Sequence, residues 1–387
     1  GRLVVAFGGM PERTRYVHSG GPSRHHAGAS LRAAREAGVE FVLVSPLRDD
    51  LSGDLDATWL APRPLTDVAL MLGLAHTLVA EDLHDRAFLE RWTSGYPVFE
   101  RYLLGLDDGQ PKDAAWAASI CGLGEEAIRE LARRMAAGPT LISVAHGLQR
   151  AEHGEQPIWM AITLAAMLGD IGQPGAGFAY ALGIFANIGQ PPLAVSIPSF
   201  PQGRNPSRAF IPVARVADML EHPGETFDYD GQRFVYPDVR LVYWAGGNPF
   251  HHHQDLGRLR RAFARPRTII VHEPYWTATA RHADIVLPTT ITLERDDIGA
   301  SRNDPGVMAM QRVSAPRGEA RDDFAIFAAL ASRLGRGEAF TQGRDADSWL
   351  RHIYAGLAER LQAAGTEAPS FEAFWEAGEL RLPVRDE

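Results

Sequence analysis

Two short turns, Phe7-Gly8-Gly9-Met10-Pro11 and Trp244-Ala245-Gly246-Gly247-Asn248-Pro249, each leave an apolar run and repeat one another in distant parts of the chain. Paired glycines let backbone approach a phosphate closely, and the N–H groups of the loop and helix start stabilise its charge. Neither turn is a GxGxxG, so the ordinary dinucleotide fingerprint is missing. A single loop of this kind is more often a structural turn. Its repetition points to a ligand with two phosphate-bearing ends.

Other polar clusters sit at comparable places. His146-Gly147-Leu148-Gln149-Arg150 leaves an apolar run, and Glu155-Gln156 precedes the next helical stretch. Trp276 to Pro288 is dense in hydroxyls and carries Arg281, and Glu294-Arg295-Asp296-Asp297 follows. Polar groups at the ends of buried strands need partners, which a polar cofactor supplies and an ion-paired loop supplies equally. Asp67, in Arg63-Pro64-Leu65-Thr66-Asp67, is placed to accept hydrogen bonds from guanine N–H groups. On spacing alone, Thr66 or Asp67 fits better as a helix N-cap. The runs His25-His26 and His251-His252-His253 are not assigned to a metal, because consecutive histidines diverge and no Asp, Glu or Cys stands at ligand spacing. Contact of the second run with a phosphate or ribose fits better. Nothing matches a Ser–His–Asp elbow, a Walker loop or HExxH.

The elements that must position these residues alternate strand and helix. Leu3–Phe7 reads as a strand, Ala27–Ala37 as a helix ended by Gly38, and Glu40–Val44 as the next strand. Ile128, Leu131, Ala132 and Met135 form one stripe on a helix that acids open and arginines close. The second half repeats the order: a buried helix over Pro157–Leu168, a strand over Arg240–Trp244, a helix from Asp255, strands over Thr268–Val271 and Asp284–Leu287, and a helix over Asp323–Leu334. Near-continuous Val/Leu/Ile strands alternating with helices predict parallel sheets covered on both faces. The expected fold is α/β: two tandem doubly wound, Rossmann-like domains, residues 1–138 and 139–335. A Gly/Pro-rich excursion fills 170–235, and 336–387 reads as a peripheral helical tail.

Composition narrows the classes. At about 150 residues per domain, 387 residues hold two or three domains. A net charge of -9 argues against a general nucleic-acid binder. Cys121 is the sole cysteine, which leaves no disulfide within the chain and no cysteine cluster for zinc or iron–sulfur. The longest apolar runs, Val68–Leu74 and Ile158–Leu168, fall short of the roughly 20 residues a membrane span needs. The chain opens directly on a strand without Met and closes without a terminal motif, as expected of a segment of a longer polypeptide.

At these motifs the sequence resembles the molybdopterin-dependent oxidoreductases, in the branch that reduces dimethyl sulfoxide, trimethylamine N-oxide and biotin sulfoxide. The resemblance is carried by HGLQRAEHGEQ (His146–Gln156), GGNPFHHHQD (Gly246–Asp255) and WTATARHADIVLP (Trp276–Pro288). LERDD (Leu293–Asp297), EARDDFAIF (Glu319–Phe327) and APRPLTDVALMLG (Ala61–Gly73) extend it over roughly residues 1–335.

That resemblance implies a molybdenum atom held by two molybdopterin guanine dinucleotides, one nucleotide in each α/β domain of a four-domain chain. It implies that Asn248, His252, Gln254, Thr277, Thr279 and Asp297 contact one dinucleotide, and that Ser45, Arg48 and Asp67 contact the guanosine of the other. His146, Gln149 and Arg150 would line the pterin side, and Arg48, Arg150 and Arg281 would balance the pyrophosphates locally. Gly8, Gly9 and Gly247 belong to the two phosphate-approach loops, and Met10 stands where many relatives have Asn. The family's molybdenum ligand is expected upstream of this segment, and its last pterin-binding domain downstream. No metal ligand or catalytic residue is therefore assigned here, and the segment alone is expected to be inactive.

The implied reaction removes oxygen from an S-oxide or N-oxide with two electrons and two protons, the oxygen leaving as water. A cytochrome or reductase would donate the electrons, as in anaerobic respiration. The competing readings are a structural or electron-transfer subunit that has lost the cofactor, and a formate dehydrogenase or nitrate reductase type of enzyme. Relatives acting on the small oxides are exported and biotin sulfoxide reductases stay inside, so a periplasmic or a cytoplasmic location is expected, the periplasm slightly favoured.

Overall fold

The computed structural model describes residues 1–11, 26–182, 191–205, 207, 210–301 and 304–385. His25, parts of the 170–235 excursion and the last two residues lie outside them. The fold is mixed α/β with parallel sheets, and the chain divides into two compact units.

The first unit comprises residues 1–193, 301–305 and 384–387. Its elements are β1 (Leu3–Phe7), α1 (Ala27–Glu36), β2 (Glu40–Val44), β3 (Thr58–Leu60), α2 (Asp67–Ala80), α3 (Arg86–Trp92) and α4 (Tyr96–Leu103). Then come α5 (Ala114–Cys121), α6 (Glu125–Ala136), β4 (Thr140–Val144), α7 (Glu155–Met167) and β5 (Gly177–Tyr180). The five strands form one sheet in the order β3-β2-β1-β4-β5, every pair parallel.

Alternate side chains of each strand point to opposite faces, and each face has its own core. Val5, Phe7, Val42, Val44, Ile142 and Val144 pack with Leu70, Leu74, Ile128, Leu131 and Leu164 from α2, α6 and α7. Ala6, Phe41 and Leu43 pack on the other side with Leu31 of α1, Leu51 and Leu55. The α6 stripe is buried as its spacing predicts, while Glu126 and Arg133 on its outer side form an ion pair. Lys112, the sole lysine of the chain, is folded in before α5. Its Nζ donates to Asp108 at 2.6 Å and lies 4.3 Å from the Tyr102 ring centroid.

The boundary expected at residue 138 falls inside this unit. The strand that follows it, β4, pairs with β1 in the register Leu3↔Thr140, so the loop at Gly138-Pro139 is an internal crossover. The excursion likewise begins with a sheet strand: Leu141↔Gly177 opens the β4–β5 pairing.

The second unit comprises residues 194–300 and 306–383. It contains α8 (Val216–Glu221), the antiparallel hairpin β6 (Thr226–Tyr229) and β7 (Gln232–Val235), β8 (Leu241–Ala245), the single turn α9 (Pro249–His252), α10 (Leu256–Phe263), β9 (Thr268–Glu273) and β10 (Ile285–Pro288). Strands β11 (Asp297–Ser301) and β12 (Asp304–Met310) follow, then α11 (Asp323–Arg333), α12 (Gly337–Thr341), α13 (Ala346–Ala363), α14 (Phe371–Ala377) and β13 (Glu379–Arg381). Strands β10-β9-β8 make a parallel sheet whose core includes Leu259, Phe263, Ile269 and Val271.

Of the residues read as a peripheral tail, 336–383 are part of this unit. Trp349, Tyr354 and Leu357 of α13 are buried, and β13 pairs antiparallel with β12 in the register Gly306↔Arg381. No helix among the described residues is long and apolar enough to cross a membrane.

Candidate cofactor-binding site

In a parallel sheet the carboxyl ends of the strands are where ligands bind, above all where the strand order reverses. In the first unit that point lies between β1 and β4. Gly8 and Gly9 leave β1, Ser45 leaves β2, Asp67 opens the helix after β3, and His146, Gln149 and Arg150 leave β4. The sheet thus gathers every first-unit candidate along one edge.

Their side chains differ in what remains to offer a ligand. Asp67 is half-buried at the first position of α2, with Thr66 as the N-cap. Neither caps through its side chain: the Thr66 hydroxyl donates backward to the Arg63 carbonyl at 2.6 Å. Burial pushes the Asp67 carboxyl above its ordinary value, opposed only by its own backbone N–H. Thr66 thus takes the N-cap position expected of it, without a side-chain cap bond, and the Asp67 carboxyl is left as a desolvated acceptor at the crevice.

Arg48 is exposed, 5.9 Å from the Trp59 ring centroid, and pairs with no carboxylate among the described residues. Arg150 donates to Nε2 of His146 at 3.0 Å, and the Tyr180 hydroxyl meets Nδ1 at 2.8 Å. Burial and then the Arg150 charge hold the His146 ring below its ordinary pKa. Gln149 is exposed beside them.

Ser45 and the first glycine pair are committed elsewhere. Ser45 is buried and its hydroxyl donates to Asp50 at 2.6 Å. The N–H groups of Gly8, Gly9 and Met10 donate to the carbonyls of Val44, Ala6 and Asp50. A Cβ on Gly8 would overlap Leu148 and Ala145, and one on Gly9 would overlap Asp50. Met10 packs in the core with Leu31 and Leu51. Close packing and positive φ account for the glycines of this loop, and its amides are bonded within the chain.

The matching loop of the second unit is open. Gly246 and Gly247 have φ of 80° and 78°; among the described residues no atom lies near a Cβ on Gly246, and only Trp244 Nε1 lies near one on Gly247. The N–H groups of Gly246, Gly247 and Asn248 reach no carbonyl among the described residues. Beside them, Trp244 Nε1 is buried without a hydrogen-bond partner among the described residues. Free donors around an open glycine pair suit an anionic group.

This edge also collects most of its candidates. Thr279 is buried, and its hydroxyl donates to the Asn248 side-chain oxygen, tying the loop after β9 to the loop after β8. Thr277 donates to Glu273 at 3.1 Å. His252, Gln254 and Arg281 are exposed, and Arg281 pairs with no carboxylate among the described residues. Asp297 stands apart at the start of β11, its carboxylate taken by Arg295 at 3.3 Å and by the Ile298 N–H.

Sequence reasoning passed over Tyr243 and His272, joined at 2.7 Å beneath the same two loops. The available signal was a histidine inside the apolar strand Thr268–Glu273.

Comparison with known proteins agrees with the resemblance. The molybdopterin oxidoreductase family matches residues 3–333. The chain is 48% identical over 385 residues to a biotin sulfoxide reductase of Cereibacter sphaeroides, covering 99% of this chain and 52% of that protein. It is 44% identical to a dimethyl sulfoxide/trimethylamine N-oxide reductase of the same organism, covering 99% and 48%. The chain thus spans about half the length of the curated relatives it matches. Acetylene hydratase from Pelobacter acetylenicus shares the fold, with a TM-score of 0.61 at 18% identity over 99% of this chain and 52% of that one. With the family matched over most of its length, the chain belongs to the molybdopterin oxidoreductases.

Proposed function

We propose that the carboxyl edge of each unit holds one guanine-nucleotide end of a bis(molybdopterin guanine dinucleotide) molybdenum cofactor, in an enzyme that reduces an S-oxide or N-oxide. Each unit is then a doubly wound, Rossmann-like nucleotide domain; the strand order and two-faced core of the first unit support this most directly. When bound, the molybdenum centre supplies the two-electron chemistry that takes oxygen from the substrate. The names of the relatives support the substrate class.

The observation that carries the reading is the Asp67 carboxylate, desolvated at the crevice with no donor among the described residues but its own N–H. A guanine edge offers two adjacent N–H donors, the partners this carboxylate lacks. In the second unit, the free amides of Gly246 to Asn248 and the Trp244 indole N–H would face the other nucleotide's phosphates. Arg281 and Arg48 would neutralise charge, His252, Gln254 and Thr277 would contact the nucleotide, and Asn248 and Thr279 would fix the loop they join. Arg150, Gln149 and a neutral His146 would face the pterin.

Purified Arg281→Ala protein from molybdate-fed cells should carry clearly less molybdenum per chain than wild type. Equal metal content would remove Arg281 from the assignment. Protein without molybdenum or tungsten in the wild type would overturn the whole reading.

A further inference from the structure

The two second-unit loops are tied at two levels. At the tip, Thr279 bonds Asn248. At the base, Tyr243, three residues before Gly246, meets Nε2 of His272 at 2.7 Å. His272 immediately precedes Glu273, the residue that accepts from Thr277. The other ring nitrogen of His272 lies 2.7 Å from Asp323 on α11, and Phe327 of the same helix stacks on the ring at 4.9 Å. The side chain is only 1% exposed, so water offers it no substitute partner.

The donors order themselves. With the Asp323 carboxylate as acceptor, Nδ1 carries the proton and Nε2 accepts from the Tyr243 hydroxyl. A carboxylate that fixes one ring nitrogen thereby fixes the tautomer and orientation presented by the other. Here the presented nitrogen grips the strand leading into the open glycine loop, and the backbone of the same histidine leads into the loop of Thr277 and Thr279.

We propose that His272 is a positioning residue: held by Asp323 and Phe327, it sets the spacing of the Gly246 and Thr277 loops for the nucleotide's phosphates. The inference rests on the nucleotide reading above. Asp323 is the useful handle because its side chain is 54% exposed and the N-cap of α11 is its neighbour Asp322, so replacing it leaves core and cap intact.

The test titrates GDP, as a probe of the nucleotide end, into the 387-residue chain by calorimetry. Asp323→Ala should weaken GDP binding about fivefold and lower the melting temperature modestly, because it strands the buried Nδ1–H, and Asp323→Glu should recover most of both losses. Nitrogen-15 spectra of the His272 ring should show the Nδ1–H form in wild type and a tautomer mixture in Asp323→Ala. Unchanged GDP affinity in Asp323→Ala, or an unchanged ring spectrum, overturns the proposal. Failure of the wild type to bind GDP would instead sink the nucleotide reading beneath it.

Discussion

The Arg150 guanidinium donates to Nε2 of His146 at 3.0 Å, which obliges that nitrogen to be unprotonated. Burial and the adjacent positive charge both lower the His146 pKa. A lowered folded pKa contributes stability that is complete above the ordinary imidazole value and is lost as pH falls through the folded value. His146 should therefore titrate at lower pH than a free histidine in a proton NMR titration, and Arg150→Ala should move its midpoint upward. An unmoved midpoint would show that Arg150 does not govern the ring.

Asp67 has the opposite sign. Burial raises its folded pKa, so its contribution is full below the ordinary carboxyl value and is lost as pH rises through the folded value. Asp67→Asn never ionises, so it should raise the melting temperature at neutral pH and change it little in acid. The same variant should bind GDP more weakly. A group that lowers apo-protein stability while improving binding is what a functional carboxylate predicts. Thermal melts across pH, paired with GDP calorimetry, check both arms, and a neutral-pH melt no higher than wild type would refute the desolvation argument.

The twin glycine loops should respond differently to one added methyl group. Gly246→Ala meets open space and bears only left-handed strain, about 1–2 kcal/mol. Gly8→Ala carries the same strain and also collides with Leu148 and Ala145, an overpacking cost of about 1–3 kcal/mol more. Denaturant unfolding of the two variants measures the gap. Equal losses would contradict the packed geometry of the first loop.

Ile128 is fully buried on the α6 stripe against the first-unit core. Truncation to Ala should cost about 2–5 kcal/mol through lost burial and the cavity left behind. Ile120, 36% exposed at the end of α5, gives the control: its replacement should cost far less. Urea midpoints of the two variants would expose an error if the ranking reversed.

The Ile128 stripe was legible because an amphipathic helix records its buried face at a fixed spacing. The same holds for β1 and β2, whose apolar runs Leu3–Phe7 and Phe41–Val44 are unbroken. Strand β5 was not legible: it begins at Gly177, whose φ is positive, inside a stretch where glycine and proline erase periodicity. The unit boundary was hidden too, since pairing of Leu3 with Thr140 is a long-range contact that no local signal encodes. At the candidate site, most of the candidates named from sequence lie after strand ends, but sequence left their availability undetermined. Ser45, just past β2, and Ser143, within β4, are both buried, yet Ser45 bonds Asp50 and Ser143 Oγ has no partner among the described residues. Only side-chain geometry separates a spent donor from a waiting one.

Lys112 has a practical corollary. Every other fixed positive side chain is a guanidinium, and the lone ε-ammonium is closed in by Asp108 and Tyr102. Acylating labels, amine-reactive cross-linkers and lysine-specific proteases should therefore find no foothold on a native side chain. Reactivity at Lys112 becomes a built-in reporter of local opening between α4 and α5, read by mass spectrometry at one position.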